Sequence, residues 1–519
     1  MSQTNALMQK IQKRVVLLIA DGWGYAPPGP GNYISQANTI IFNRLLKEYP
    51  HTLNKASGEA VGLPKGAQGN SEVGHLHMGA GRIVWQMYEL INRAINDKSF
   101  FRNKKLNEAM DFAKKKKSAL HLVGLCSDEG VHAHTNHLKA LLKMADKKGL
   151  KKIFIHFFAD GRDVAEKSAK KYVDIIERMK IGKIASVVGR FYSMDRDNNW
   201  DRTKKAYDLL TSGSGLKAKS ATEAVKMAYA NGDKTDYYIQ PTAIVDENGE
   251  PLAVIKNNDA VIFFNFRTDR PRQLCHAFLD KKFTKFKRDV VPKVKFVAMT
   301  PYDKSFEKIA AYSEEVVKHN LGETLSKAGL KQLRLAETEK YGHVTYFFNS
   351  QIEKPYKGED RILIPSKKVA SYDLAPEMSA VEIVKEAEKQ INSKKYDFFV
   401  INFANCDLVG HSAVKDAIVK CVEVVDTCIG VVVNAALASG YVTILTADHG
   451  SAEDKLYPDG KPKPAHSCNP VNFVLISDDQ KLKKSKLKKG GQKDVAPTIL
   501  EVMGLKKPKE MTGKSLIKK

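Results

Sequence analysis

The chain has 519 residues, of which 43% are hydrophobic and 28% charged, and a formal net charge of +25. It is too long for one core, which predicts two domains or one large domain with an insertion. No apolar run approaches bilayer-span length and residues 1–14 lack the apolar segment of a secretory signal, so a soluble, cytoplasmic protein with no membrane partner is expected. Six cysteines without a Cys-x-x-Cys pair fit a reducing compartment. The positive excess lies in lysine runs such as 114–117 and 481–489 that carry no interleaved aromatics, so they read as solvated faces and no nucleic-acid partner is expected.

In chain order, the run Val-Val-Leu-Leu-Ile-Ala at 15–20 predicts a strand buried on both faces, ending at Asp21. Residues 66–82, Gly-Ala-Gln-Gly-Asn-Ser-Glu-Val-Gly-His-Leu-His-Met-Gly-Ala-Gly-Arg, centre on Ser71. Their glycines are expected to free the backbone for close approach of a phosphate or metal, and Asn70 or Ser71 to cap a helix. Taken alone, these residues favour Ser71 as a helix cap over a nucleophile or phosphate seat.

Further apolar runs end in polar residues: Leu120–Cys126 leads to His132, Ile153–Phe158 to Arg162 and Asp163, and Ile184–Val188 to Arg190 and on to Arg196. Ala260–Phe266 leads to Arg267 and Arg270, Phe398–Phe403 to Asp407 and His411, and Tyr441–Thr446 to Asp448 and His449, with His466 following. Amphipathic helical patterns lie between them, including 138–148, closed by Gly149, and 379–391, opened by the capping box Ser379-x-x-Glu382. The alternation predicts an α/β protein of largely parallel sheets, with ligands at the C-terminal ends of the strands.

The polar residues change character along the chain. Between about 86 and 312 they are His132, Asp163 and the arginines; outside that span they are Asp, Ser and His. This predicts an inserted domain, 86–312, within a metal-binding domain built from 1–85 and 313–519, with hinges near 83–87 and 300–303. Arg162, Arg190, Arg196, Arg267 and Arg270 are forks for carboxylate and phosphate oxygens, and Asp163 is placed to carry a hydroxyl proton. Asp21, Ser71, Asp407, His411, Asp448, His449 and His466 supply enough oxygen and imidazole ligands for two divalent ions, Zn²⁺ or Mn²⁺ by ligand type. A serine beside two such ions has a use as a phosphoryl acceptor.

Together the motifs resemble one family, the cofactor-independent (2,3-bisphosphoglycerate-independent) phosphoglycerate mutases of the alkaline phosphatase superfamily. The resemblance rests on Gly-Asn-Ser71-Glu-Val-Gly-His, Ala-Asp-Gly-Arg162-Asp163, Gly-Arg190 with Met-Asp-Arg196-Asp, Ala-Glu-Thr-Glu-Lys340-Tyr, Tyr-Asp-Leu-Ala-Pro-Glu-Met from 372, and Thr-Ala-Asp448-His449-Gly. It implies an alkaline-phosphatase-like metal domain with an inserted α/β transferase-like domain. The implied enzyme is a cytoplasmic monomer, an isomerase of glycolysis and gluconeogenesis that interconverts 3-phosphoglycerate and 2-phosphoglycerate through phosphoserine at Ser71. Two metals are implied, Mn²⁺ in the first place with Mg²⁺, Co²⁺ or Zn²⁺ as substitutes: one on Asp407, His411 and His466, the other on Asp21, Ser71, Asp448 and His449. Glycerate would be bound by His132, Arg162, Asp163, Arg190, Arg196, Arg267 and Arg270, with Lys340 serving the phosphoryl group. Glu129, Ala133, Cys406, Ser451 and His77 depart from the family's commonest residues. The rival readings are a metal-dependent phosphomonoesterase or another phosphomutase of the superfamily and, from charge alone, an RNA-binding protein.

Overall fold

The computed structural model describes residues 12–313 and 316–518. Contacts divide the chain into two units, Met1–Gln86 with Glu315–Lys519, and Met87–Glu314.

The first unit is built on a sheet in the order Glu359–Ile364, Gln332–Glu337, Phe398–Phe403, Arg14–Ala20, Tyr441–Thr446, Val471–Ile476, His51–Lys55, Gly490–Gly491. The first five run parallel, and Val471–Ile476 is antiparallel to both its neighbours. The apolar run at 15–20 has no polar face because both sides are covered. Val16, Leu18 and Ala20 pack into one core with helices Ile40–Glu48, Ala380–Asn392 and Lys415–Ala438; Val15, Leu17 and Ile19 pack into another with Leu321–Lys327 and Val495–Met503.

Helix Lys415–Ala438 corrects one expectation. It is long and apolar enough, by length and composition, to cross a bilayer. Its apolar residues, among them Ile418, Val422, Val425, Ile429 and Val433, instead fill the core beside Ala380–Asn392 and Ile40–Glu48. A second correction concerns Ser379: it precedes helix Ala380–Asn392, but its hydroxyl donates to the Pro365 carbonyl at 2.9 Å, so no capping box forms.

In the second unit the strand order is Leu216–Ala218, Thr242–Ile244, Lys183–Gly189, Ile153–Ala159, Leu120–Leu125, Ala260–Phe263, Lys295–Ala298. The five strands from Lys183–Gly189 to Lys295–Ala298 are parallel over one continuous core. Residues 300–303, expected to be a hinge, are fastened inside this unit: Tyr302 is buried and its one hydroxyl hydrogen is shared between the carbonyls of Asn265 at 2.5 Å and Phe263 at 2.9 Å, while the Thr300 hydroxyl donates to the Phe266 carbonyl. Residues 84–86 are likewise tied to the first unit, with Val84 N donating to His77 Nε2 at 2.9 Å and Gln86 N to the Gly62 carbonyl.

Candidate functional site

Parallel strands leave their C-terminal ends on one edge of a sheet, and in each unit the chemistry-bearing residues lie at that edge of the unit's own sheet. In the first unit Asp21 follows Arg14–Ala20, Lys340 follows Gln332–Glu337, Asp407 follows Phe398–Phe403, and Asp448 with His449 follows Tyr441–Thr446. Ser71 is the first residue of helix Ser71–Ala80. The capping role belongs to Asn70, whose backbone is extended and whose side chain accepts from Val73 N at 3.0 Å. That leaves the Ser71 hydroxyl to the site. Its Oγ lies 2.6 Å from Lys340 Nζ, 3.0 Å from His449 Nε2 and 3.1 Å from Asp21 Oδ1.

The glycines around Ser71 act mostly by their size rather than by special dihedrals. Gly81 does take the left-handed conformation that ends the helix, but Gly74 does not: a Cβ there would come 2.7 Å from the Asp448 carbonyl oxygen. The helix start is therefore pressed directly against the strand end that bears Asp448.

The Lys340 ammonium sits among the carboxylates, 2.9 Å from Asp21 and 2.6 Å from Asp407. Although burial opposes it, this cation holds the Asp21 and Asp407 carboxyls below their ordinary range. Asp448 has no such partner; burial and then the neighbouring Asp21 push its carboxyl up to about 7.

The histidine tautomers are set by backbone carbonyls. The Nδ1–H of His466 donates to Gly69 at 2.8 Å, that of His411 to Pro464 at 3.1 Å and that of His449 to Gly450 at 3.2 Å. Their Nε2 atoms then converge on Asp407 Oδ1 at 3.0, 3.5 and 3.7 Å respectively; at 3.0 Å a protonated His466 can donate to that buried oxygen, whereas Asp448 Oδ2 is buried without a donor. In their neutral forms the three imidazoles present lone pairs beside a carboxylate, a donor set that fits a divalent metal.

Carboxylates and imidazoles gather as Asp407, His449 and His466, and as Asp21, His75 and Asp448. His75 is a residue the sequence reading missed, yet both its ring nitrogens are engaged: Nδ1–H donates to the Ser71 carbonyl at 2.8 Å, and Nε2 accepts from Asn402 at 3.1 Å. Asn402 also donates to Asp21 Oδ2 at 2.9 Å. We therefore read His75 and Asn402 as supports for Ser71 and Asp21, with Ser71 Oγ and His449 Nε2 the donors nearer Asp21. Burial pushes the His75 imidazole down to about 4, keeping it neutral for that role.

The second unit gathers His132, Arg162, Asp163, Arg190, Arg196, Arg267 and Arg270 in the loops that follow its parallel strands. Arg190 is buried and its Nη1 donates to Asp160 and Asp163, both at 2.6 Å. Arg196 and Arg267 reach Asp269 at 2.8 and 3.3 Å, and Arg270 donates to the Met194 carbonyl at 2.9 Å. His132 lies 3.8 Å from Asp163 and from Asp269, and burial followed by Arg190 pushes its imidazole down to about 3. The Arg162 fork is exposed, its backbone N–H held by Asp160. Asp160 and Asp269, which space these arginines, are not among the residues singled out from the sequence, because only the fold brings them against Arg190, Arg196 and Arg267.

The family model described as BPG-independent PGAM N-terminus matches residues 91–304. The chain is 50% identical over 520 residues to the 2,3-bisphosphoglycerate-independent phosphoglycerate mutase of Methanococcoides burtonii, covering 98% of this chain and 100% of that protein. To the enzyme of the same name in Clostridium botulinum it is 48% identical over 514 residues, covering 98% and 100%. Among solved structures it resembles Leishmania mexicana phosphoglycerate mutase at low cobalt concentration, with 30% identity, a TM-score of 0.61 and 98% of each chain covered.

Proposed function

This chain belongs to the 2,3-bisphosphoglycerate-independent phosphoglycerate mutases, and from that membership we propose that it interconverts 3-phosphoglycerate and 2-phosphoglycerate, with Ser71 carrying the phosphoryl group between the two hydroxyls. The observation that carries the reading is the Ser71 Oγ: it opens a helix, has Lys340 Nζ at 2.6 Å, and faces an imidazole lone pair on His449 at 3.0 Å. A helix N-terminus and an ammonium both favour the dianion of a phosphoserine.

Asp407, His411 and His466 would hold one divalent ion, and Asp21, Ser71, Asp448 and His449 a second, Mn²⁺ foremost. Such ions supply Lewis acidity that lowers the serine hydroxyl pKa and neutralises phosphoryl charge. Lys340 adds a fixed positive charge beside the phosphoryl group. Glycerate is retained by His132 and the arginines: Arg162, Arg196 and Arg267 present exposed forks for its carboxylate, and Arg190 and Arg270 are the buried supports. Asp163, held by Arg190, gives a proton to the substrate oxygen as it leaves the phosphoryl group and then takes one from the other hydroxyl as it attacks the phosphoserine. In this reading the segment 86–312 is a transferase-like domain, and the enzyme works as a cytoplasmic monomer on a small-molecule substrate.

The test is a coupled assay that starts from 3-phosphoglycerate with no 2,3-bisphosphoglycerate, run before and after metal stripping. Formation of 2-phosphoglycerate that is lost on stripping and restored by Mn²⁺ is expected. Free phosphate without 2-phosphoglycerate would make the protein a phosphomonoesterase.

A further inference from the structure

Lys455 is buried, and its Nζ donates to the Gly410 carbonyl at 3.1 Å, the Ala465 carbonyl at 3.1 Å and Ser451 Oγ at 3.0 Å. These three acceptors match the three N–H bonds of the ammonium form. All three bonded partners are neutral, and the nearby carboxylates of Glu453 and Asp407 only partly offset the burial of this charge, an arrangement that costs stability relative to an apolar residue.

The partners have one thing in common. Gly410 precedes His411, Ala465 precedes His466, and Ser451 stands two residues after His449. One cation thus touches every segment that presents a histidine Nε2 toward Asp407. Its own backbone is fixed on both sides, with Lys455 N donating to the Gly31 carbonyl and Lys463 N to the Lys455 carbonyl, each at 2.9 Å. Glu453, also buried, complements it on the same loop by accepting from Gly24 N at 3.1 Å, Ser451 N at 2.8 Å and the Ser467 hydroxyl.

We infer that Lys455 is a positioning residue for the metal centre, an internal cation that sets the spacing of the His411, His449 and His466 segments so that their lone pairs converge before a metal arrives. The inference rests on reading those histidines as ligands. Removing the ammonium frees three loops at once and lets the imidazoles drift, which lowers metal affinity without deleting a ligand; supports of this kind are worth about 10–100-fold in affinity. A residue that merely knits loops together would lower the melting temperature and leave metal affinity alone.

The test is calorimetric titration of the metal-stripped full chain with Mn²⁺, comparing the natural protein with Lys455→Met and His466→Ala. For Lys455→Met the account expects two bound ions, with the one on Asp407, His411 and His466, two of whose segments Lys455 holds, weakened most, by about 10–100-fold, and mutase activity that excess Mn²⁺ restores. Should Lys455→Met fail to fold, Ser451→Ala removes one acceptor and is expected to weaken the same ion several-fold. Unchanged Mn²⁺ affinity in the folded variant overturns the inference. His466→Ala keeps the readings apart: if it too leaves Mn²⁺ binding unchanged, the ligand assignment fails, whereas loss of a site there with unchanged binding in Lys455→Met condemns the positioning role alone.

Discussion

Gly74→Ala probes how tightly the helix that opens at Ser71 is set against the strand end that bears Asp448. The added methyl would lie 2.7 Å from both the carbonyl oxygen and the Cβ of Asp448, and 3.0 Å from its carbonyl carbon. Non-bonded carbons prefer about 3.5–4.0 Å, so the two segments must part by roughly 1 Å. The Asp448 side is anchored, with Oδ1 accepting from Gly22 N at 3.2 Å and from His449 N at 3.0 Å. The helix therefore yields, and it takes Ser71 with it. Overpacking of this kind costs about 1–3 kcal/mol, of which about 1 kcal/mol is recovered because alanine favours a helix over glycine. The net loss of stability should be no more than about 2 kcal/mol, while a displacement of about 1 Å at the nucleophile should lower kcat by about 100-fold. Chemical denaturation and the coupled assay measure the two effects separately. Gly342→Ala is the control, since that glycine is exposed at the end of helix Thr338–Gly342 with nothing within 4 Å of its added Cβ. A folded Gly74→Ala enzyme with the natural kcat would refute the claim that Ser71 is positioned by this contact.

Lys340→Met leaves Asp21, Asp407 and Asp448 buried together with no ammonium among them, which should cost the metal-stripped protein about 3–5 kcal/mol. Added Mn²⁺ should recover part of that loss. Denaturant unfolding with and without Mn²⁺ checks this, and equal stability to the natural protein in chelator would count against it. Acid should also destabilise the second unit. Burial pushes His137 down to about 3 and His156 well below the ordinary 6.5. Between the folded and unfolded values the unfolded chain binds more protons, so stability is lost as pH falls below 6.5. At about pH 5.5 each such histidine should have cost about 1.4 kcal/mol. His137→Gln should flatten the fall in denaturation midpoint between about pH 7 and 5.5; an unchanged slope would show that His137 does not contribute.

Much of the α/β architecture was legible because its parallel strands are buried on both faces and so read as unbroken apolar runs, as at Phe398–Phe403 and Tyr441–Thr446. Gln332–Glu337 escaped because it carries a charge into the core: Arg334 is fully buried, bonded to Gln332 Oε1 at 2.7 Å and stacked over Phe348 and Phe398. Only tertiary packing makes that residue acceptable in a strand. The residues at strand ends were visible because Asp, His and Arg break the apolar pattern where a buried strand stops. His75, Asn402, Lys455 and Glu453 were not, since each acts through contacts between segments far apart in sequence. The same holds for Gly74, whose purpose is a contact with Asp448 rather than a backbone conformation. Cys406, in place of the commoner proline, is buried in the short helix Asn405–Leu408, which still presents Asp407 to Lys340 and His466.

The central claim is that the phosphoryl group travels on Ser71, and its most direct test is to trap it there. Metal-loaded enzyme mixed with 3-phosphoglycerate and quenched in acid should yield one phosphorylated peptide by mass spectrometry, modified at Ser71. Ser71→Ala should show no phosphopeptide and no 2-phosphoglycerate. Conversion of 3-phosphoglycerate to 2-phosphoglycerate by folded Ser71→Ala protein, at anything near the natural rate, would contradict the account.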